Sequence, residues 1–128
     1  MDSERLKKID LFVSLPDEEL QHLAEIASEG TADEGELIVR SGTWPYQLFA
    51  IEEGEVEVKR DDEVVATLGV GDVVGETGLL KRGLRNASVV ATSPVRVIFF
   101  SHDQVKKMRK ELPDLDEQLH ELLEQRSG

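Results

Sequence analysis

Cysteine is absent from this sequence of 128 residues. Disulfide bonds, thiolate metal sites and a cysteine nucleophile are therefore excluded. No apolar run is long enough to cross a membrane, and the first five residues, Met1 to Arg5, lack the apolar stretch of a signal peptide. We therefore expect a cytoplasmic protein without a membrane span, and the length predicts one domain with a single core.

Clustered metal ligands are also missing from the sequence. His22, His102 and His120 lie far apart and show neither the His-x-His nor the His-x-x-x-His spacing of a metal site. The adjacent acids Glu52-Glu53 and Asp61-Asp62 fall at predicted turns, where solvation explains them better than a catalytic pair does. We therefore predict no metal, no cofactor and no catalytic activity, and a small barrel enzyme is the least favoured function.

Basic residues are scarce, because 15 lysines and arginines face 27 acids and the formal net charge is −12. An acidic chain repels polyanions, so direct binding of nucleic acid is not expected. The segment from Thr77 to His102 is an exception, since it has no acid and four bases, Lys81, Arg82, Arg85 and Arg96. This compact basic segment suits a small anion.

Helical patterns occupy both ends of the chain. Pro16 precedes three acids at the start of a helix that extends to Ala27 and presents an apolar face for packing. Ser101 and Gln104 form the capping-box pattern of a second helical region, which Pro113 divides into two helices. The end of this region carries a leucine stripe that suits docking on the barrel or on a partner helix, consisting of Leu112, Leu115, Leu119 and Leu122.

Between these helical ends the apolar residues recur with the period of two that is typical of β-strands. Short runs separated by turn signals predict a barrel or a sandwich. The runs are Leu37 to Val39, Leu48 to Ile51, Val56 to Val58, Val64 to Leu68, Val73 to Val74, Val89 to Val90 and Val95 to Phe100. We predict one domain over residues 1–128, with N-terminal helices in 1–29, the barrel in 30–100 and C-terminal lid helices in 101–126.

The segment from Gly75 to Ser88 carries the groups that a phosphate site needs. A helix that begins after Gly75 would offer unpaired backbone N–H groups to an anion. Arg85 provides a planar fork for two phosphate oxygens. Glu76 would repel a phosphate, so its natural partner is a hydroxyl such as that of a ribose. Gly78 lets a ligand approach the backbone closely.

The run Gly71-Asp72-Val73-Val74-Gly75-Glu76-Thr77-Gly78-Leu79-Leu80, followed by Arg85-Asn86-Ala87-Ser88, resembles the phosphate-binding cassette of cyclic nucleotide-binding domains. The resemblance extends over nearly the whole chain and is to the catabolite activator and protein kinase A regulatory subunit type. It implies a mainly β fold with flanking α-helices: an eight-stranded jelly-roll β-barrel with N-terminal helices, a short cassette helix and two C-terminal helices. It also implies that Glu76 binds the ribose 2′-OH, that Arg85 binds the cyclic phosphate, and that Gly75 and Ala87 contribute backbone contacts.

Two positions near the cassette depart from the family pattern. Val74 stands where the family usually has an aromatic residue. Asn86 follows the arginine at a place that helps to separate adenine from guanine rings, and it is neither of the usual residues there. The purine preference is therefore open, and cyclic AMP is favoured over cyclic GMP only as the commoner ligand of bacterial members.

The predicted ligand-binding set joins the cassette to two strand residues and a helical cap. It consists of Gly75, Glu76, Thr77, Gly78, Leu79, Arg85, Asn86, Ala87, Ser88, Val58 and Val65. The cap, predicted to lie against the purine ring, consists of Leu119, Leu122 and Leu123.

We interpret the chain as a regulatory sensor whose C-terminal helices transmit the ligand state to an output domain or partner protein that the sequence does not identify. One alternative is that Arg85 and Glu76 pair with each other and close a loop that binds nothing. Another is a degenerate jelly roll that acts as an interaction or dimerisation module, with a homodimer formed through the C-terminal helix.

Overall fold

The computed structural model describes residues 1–40, 47–75 and 87–127. Helices lie at both ends of this part of the chain and strands lie between them, as predicted. The helices are a 3-10 helix over Ser3–Lys8, α1 over Asp17–Ile26, α2 over His102–Glu111 and α3 over Pro113–Ser127. The strands are β1 Ser28–Ala32, β2 Leu37–Val39, β3 Gln47–Glu53, β4 Val56–Arg60, β5 Glu63–Leu68, β6 Val73–Val74, β7 Ser88–Ala91 and β8 Val95–Ser101.

The eight strands form two antiparallel sheets of four strands each. Sheet 1 has the order β1-β8-β3-β6, and sheet 2 has the order β2-β7-β4-β5. The prediction of a mainly β, jelly-roll type fold is confirmed, although no hydrogen-bonded pair among the described strands closes the two sheets into one barrel. Strand β1 was missing from the periodic runs because Ser28–Ala32 contains no large apolar residue and pairs only at the sheet edge, with β8.

Strand β3 is buried along most of its length and contributes to both hydrophobic clusters. Leu48 and Ala50 belong to a helical core, where the outer face of sheet 1 packs against the helices. Phe49 and Ile51 belong to an inter-sheet core between sheets 1 and 2. The division follows from the alternation of side chains along a strand. Sheet 1 is thus covered on both faces.

The leucine stripe of the C-terminal helices packs against the chain's own core. Leu112, Leu115 and Leu119 are 7%, 0% and 1% exposed, and all three belong to the helical core. Of the two predicted destinations for the stripe, the structure therefore shows the intramolecular one. The capping box of α2 is confirmed, because the Ser101 hydroxyl accepts from the Gln104 N–H and the Gln104 side chain accepts from the Ser101 N–H.

The start of α3 is held by a buried carboxylate. Glu19 of α1 accepts a hydrogen bond from the Leu115 N–H at 3.3 Å, which satisfies one free donor at that helix end. Burial raises the pKa of Glu19, and a hydrogen bond with Asp114 adds to this shift. This contact ties α1 to α3 across the helical core.

Turn geometry explains two of the predicted turns. Asp61 and Asp62 join β4 to β5 with φ values of 52° and 66°, the left-handed pair that a tight hairpin requires. Gly54 has a φ of 94°, and a Cβ there would lie 2.3 Å from the Pro94 carbonyl oxygen. Only glycine fits that position without moving the backbone of the neighbouring loop.

Replacing Leu119 with alanine should lower the free energy of unfolding by about 2–5 kcal/mol, because the change leaves a cavity in the helical core. Val13→Ala is the matched control, since Val13 is 55% exposed and its truncation should cost less than about 0.5 kcal/mol. Chemical denaturation measures both values. A Leu119→Ala protein of unchanged stability that had lost a dimer in sedimentation would instead make the stripe an intermolecular surface.

Candidate functional site

The described part of the predicted site begins at Gly75. Strand β6 pairs with β3, with Val73 opposite Ala50 and Val74 opposite Phe49. Gly75 follows this strand with a φ of 90°, in the left-handed region that favours glycine. Glycine thus lets the chain turn out of sheet 1 at the point where the predicted cassette starts.

The predicted cassette ends on the other sheet. Ala87 is half-buried and precedes β7, which lies between β2 and β4 of sheet 2. Ser88 is paired with Lys59 of β4, and Val89 is paired with Val58. The segment that carries the predicted ligand groups therefore connects sheet 1 to sheet 2.

Most of the predicted ligand groups fall in residues 76–86, outside the described residues. These are Glu76, Thr77, Gly78, Leu79, Arg85 and Asn86, and the expected cassette helix falls there too. Their roles stay predictions that follow from the resemblance.

The two predicted strand contacts have different surroundings. Val58 is partly buried against the inter-sheet core, beside the start of β7. Val65 is 50% exposed on β5, an edge strand, where the register with β4 shifts. The structure therefore brings Val58 close to the end of the cassette and leaves Val65 at the sheet edge.

The departure at Val74 has a packing explanation. Val74 is 3% exposed and lies in the inter-sheet core, whereas Val73, its neighbour on β6, lies in the helical core. The side chain before Gly75 thus fills space between the sheets, a role that an aliphatic residue can take.

The three predicted cap residues do not share one environment. Leu119 is 1% exposed within the helical core. Leu122 is half-buried against that core and lines a surface cavity. The Leu123 side chain lies outside the described residues. In this conformation Leu119 has no surface to offer a purine ring, so the cap stays a prediction that requires α3 to move.

A buried ion pair near the site was missed by the sequence analysis. Glu52, interpreted above as a solvated turn residue, is 3% exposed within β3, so that interpretation was wrong. Arg5 donates to it from Nε at 2.8 Å and from Nη2 at 2.6 Å, and also contacts Glu29. The Lys8 Nζ lies 4.0 Å from the Glu52 Oε2. The period of two was the available signal, because it puts Glu52 on the same face as Leu48 and Ala50.

The contact between Arg5 and Glu52 favours the charged form of both side chains. Hydrogen bonds from Arg5 lower the pKa of Glu52 against the opposing effect of burial. The same bonds raise the pKa of Arg5. A bidentate pair of this kind is stronger and more specific in geometry than a single contact between charges. It fixes the 3-10 helix to the strand that supports β6.

Backbone contacts extend this connection to the start of the cassette. The Asp10 N–H donates to the Gly71 carbonyl at 2.9 Å, and the Ile51 N–H donates to the Asp72 carbonyl at 2.9 Å. Gly71 leaves no space beside these contacts, because a Cβ there would lie 3.0 Å from the Lys8 carbonyl oxygen. The N-terminal segment, β3 and the approach to Gly75 are thus held as one unit.

Within residues 1–40, 47–75 and 87–127, no group of three or more histidines and acids is placed to hold a metal ion. No helix in the described part of the chain is long and apolar enough to span a membrane.

The family model described as the cyclic nucleotide-binding domain matches residues 30–111. This range begins within β1, ends with α2 and includes both ends of the predicted cassette. The chain therefore belongs to the cyclic nucleotide-binding domain family.

Individual relatives agree with this assignment. The chain is 29% identical over 111 residues to the cAMP-dependent protein kinase regulatory subunit of Schizosaccharomyces pombe, a match that covers 86% of this chain. It is 27% identical over 117 residues to a cGMP-dependent protein kinase of Caenorhabditis elegans, again with 86% of this chain covered. These matches span only 27% and 15% of the two relatives.

A crystal structure agrees as well. The catabolite activator protein of Thermus thermophilus superposes with a TM-score of 0.83 at 26% sequence identity, over 91% of this chain and 57% of that one. The similarity thus includes the helices at both ends as well as the sheets.

Glu52→Gln should lower the free energy of unfolding by about 1.5–3 kcal/mol at pH 7, because it removes charge-assisted hydrogen bonds to Arg5. The depressed pKa of Glu52 contributes stability above the pKa of an unfolded glutamate, about 4.3, and this contribution is lost as the pH falls through the lower folded value. The variant should therefore lose less stability than the wild type on acidification below about pH 4.3.

Glu53→Gln is the matched control, since Glu53 is the next residue along the chain and is exposed. Urea denaturation at a series of pH values measures all three proteins. Identical acid dependence in the wild type and the Glu52→Gln variant would contradict a stabilising role for the ion pair.

Proposed function

We propose that this domain is a sensor that binds cyclic AMP, with cyclic GMP as the second candidate ligand, and that it transmits the ligand state through its C-terminal helices. The observation that carries the proposal is the family match over residues 30–111, which contains Gly75, Glu76 and Arg85 in the cassette pattern. Relatives named for cAMP dependence and for cGMP dependence resemble the chain to a similar degree, so the choice of cyclic AMP depends on the measurement below.

The proposed chemistry divides the nucleotide between two charged residues. Arg85 would bind the two exocyclic phosphate oxygens with its planar fork, and Glu76 would accept a hydrogen bond from the ribose 2′-OH. The two ends of the cassette favour this arrangement, because Gly75 follows β6 and Ala87 precedes β7, and both strands are hydrogen-bonded within their sheets. Fixed ends reduce the conformational entropy that the cassette loses when it binds a ligand.

The helical core offers a route by which the ligand state can reach the C-terminal helices. Val73 of β6 and Leu119 of α3 share the helical core, so a displacement of the cassette strand changes the packing of the last helix. A ligand shifts such an equilibrium only by the difference between its affinities for the two conformations. We propose that an output domain or a partner protein responds to this change in the last helix.

The dimerisation alternative receives no support from the leucine stripe in this conformation. Leu115 and Leu119 are buried against the domain's own helical core, so a homodimer through this stripe would require α3 to leave its place.

Calorimetric titration with cyclic AMP and with cyclic GMP tests the proposal. Arg85→Ala should weaken cyclic AMP binding by at least about tenfold, because it removes charge-assisted hydrogen bonds to the phosphate. Arg96→Ala is the control, since Arg96 belongs to the same acid-free segment but is exposed on β8, opposite Thr31 and Glu53. No heat and no thermal shift at millimolar nucleotide would contradict binding, and equal affinity of the Arg85→Ala protein would contradict the phosphate role.

The role of Glu76 is tested with 2′-deoxy cyclic AMP, which lacks the hydroxyl that Glu76 is proposed to bind. The wild type should bind this analogue about tenfold or more weakly than cyclic AMP, because a hydrogen bond to a charged group is lost. The Glu76→Ala variant should bind both nucleotides with nearly equal affinity, since it lacks the acceptor. A deoxy penalty of the same size in both proteins would show that another group binds the ribose.

A further inference from the structure

A surface groove lies beside the strand that leads to Gly75. Its volume is about 380 Å³, and it is formed by three parts of the chain: the segment after the 3-10 helix, the β5–β6 turn and α3. This size falls near the lower end of the range for ligand sites, roughly 300–1,000 Å³. The lining residues are Asp10, Leu11, Gly71, Asp72, Val73, Gln118, Glu121 and Leu122.

The groove combines apolar surface with charge of one sign. Leu122, which is half-buried, provides most of the apolar surface, and the nearly buried Leu11 and Val73 lie beneath it, with exposures of 5% and 2%. Asp10, Asp72 and Glu121 bring three carboxylates, and none of the described residues that line the groove is a lysine or an arginine.

These carboxylates lack cationic partners within the described part of the chain. Asp72 accepts from the Gly69 N–H at 2.9 Å, which does not neutralise its charge. The salt bridges of the described residues include none of the three acids. A groove that has three carboxylates without a cationic partner among the described residues, next to the apolar side chain of Leu122, is complementary to a side chain with an apolar stem and a cationic end.

We propose that this groove docks an arginine side chain, flanked by apolar residues, from the output partner of the domain. Arginine fits better than lysine because its fork can bond more than one carboxylate and it gives up its hydration more readily. An apolar neighbour on the same segment would cover Val70, which is 58% exposed and precedes Gly71. The partner is thus a basic, apolar peptide segment rather than an anion or a membrane.

The position of the groove allows its occupant to be coupled to nucleotide binding, and this coupling depends on the proposed sensor function. Asp72 directly precedes β6, and Leu122 lies on α3, so an occupant contacts both the approach to the cassette and the last helix. If nucleotide binding changes their relative position, it changes the affinity for the occupant, and the occupant changes the nucleotide affinity by the same factor.

The docking itself is tested without nucleotide. The probe is a five-residue capped peptide with a central arginine between two leucines, and its control carries citrulline, a neutral group of similar shape, in place of arginine. Titration followed by ¹⁵N–¹H NMR should shift the amide signals of Gly71, Val73 and Gln118. The arginine peptide should bind about tenfold more tightly than the citrulline peptide, and added salt should reduce the difference.

Variants identify the carboxylates that bind the probe. Glu121→Gln and Asp10→Asn should each weaken arginine-peptide binding by about two- to fivefold, which is the size expected for a partly exposed ion pair. Glu117→Gln is the matched control, because Glu117 is exposed on the same helix and does not line the groove. Equal affinity for the two peptides, signal shifts confined to other residues, or an equal loss with Glu117→Gln would each overturn the docking site.

The regulatory part has a separate outcome. Saturating cyclic AMP should change the affinity for the arginine peptide, and equal affinity with and without bound nucleotide would overturn the claim that the groove responds to the ligand. A protein that binds the peptide as expected but shows no heat with either nucleotide would retain the docking site and lose the proposed sensor function.

Discussion

The structure depends on the burial of β3 from both sides. This strand pairs with β8 on one edge and with β6 on the other, and its side chains enter the helical core and the inter-sheet core alternately. No other described strand links the cassette strand directly to the rest of sheet 1. A displacement of β3 would therefore disturb the helices, the space between the sheets and the support of Gly75 together.

The N-terminal segment depends on the same strand through charge rather than through apolar packing. Glu52 is buried at the end of β3 and would be destabilising without a partner, because a buried charge loses its hydration. Arg5 supplies that partner, and the Asp10–Gly71 hydrogen bond adds a second attachment. The segment is thus fixed in the region where β6, α3 and the acidic groove meet, which is a suitable place for coupling a bound ligand to a partner.

Much of the fold could be predicted from the sequence, because seven strands coincide with short apolar runs separated by turn signals, and the caps of the helices are local signals. The capping box at Ser101 and the hairpin at Asp61-Asp62 need only nearby residues to form. Strand β1 could not be found in this way, since its pairing with β8 is a tertiary contact of weakly apolar residues. The burial of Glu52 was missed for a similar reason, because its partner Arg5 is 47 residues away in the sequence. The charged ligand groups were predicted from the family resemblance. The described residues include only the two ends of the cassette, Gly75 after β6 and Ala87 before β7.

The most direct test of the account is hydrogen exchange with and without saturating cyclic AMP. The account predicts that the nucleotide slows exchange at the amides of Asp10, Ile51 and Gly71, whose hydrogen bonds join the N-terminal segment and β3 to the approach to Gly75. Exchange at the exposed Asp61-Asp62 turn should stay unchanged. A protein that binds cyclic AMP and shows no change at these three amides would contradict the claim that β3 and its hydrogen bonds connect the nucleotide site to the rest of the domain.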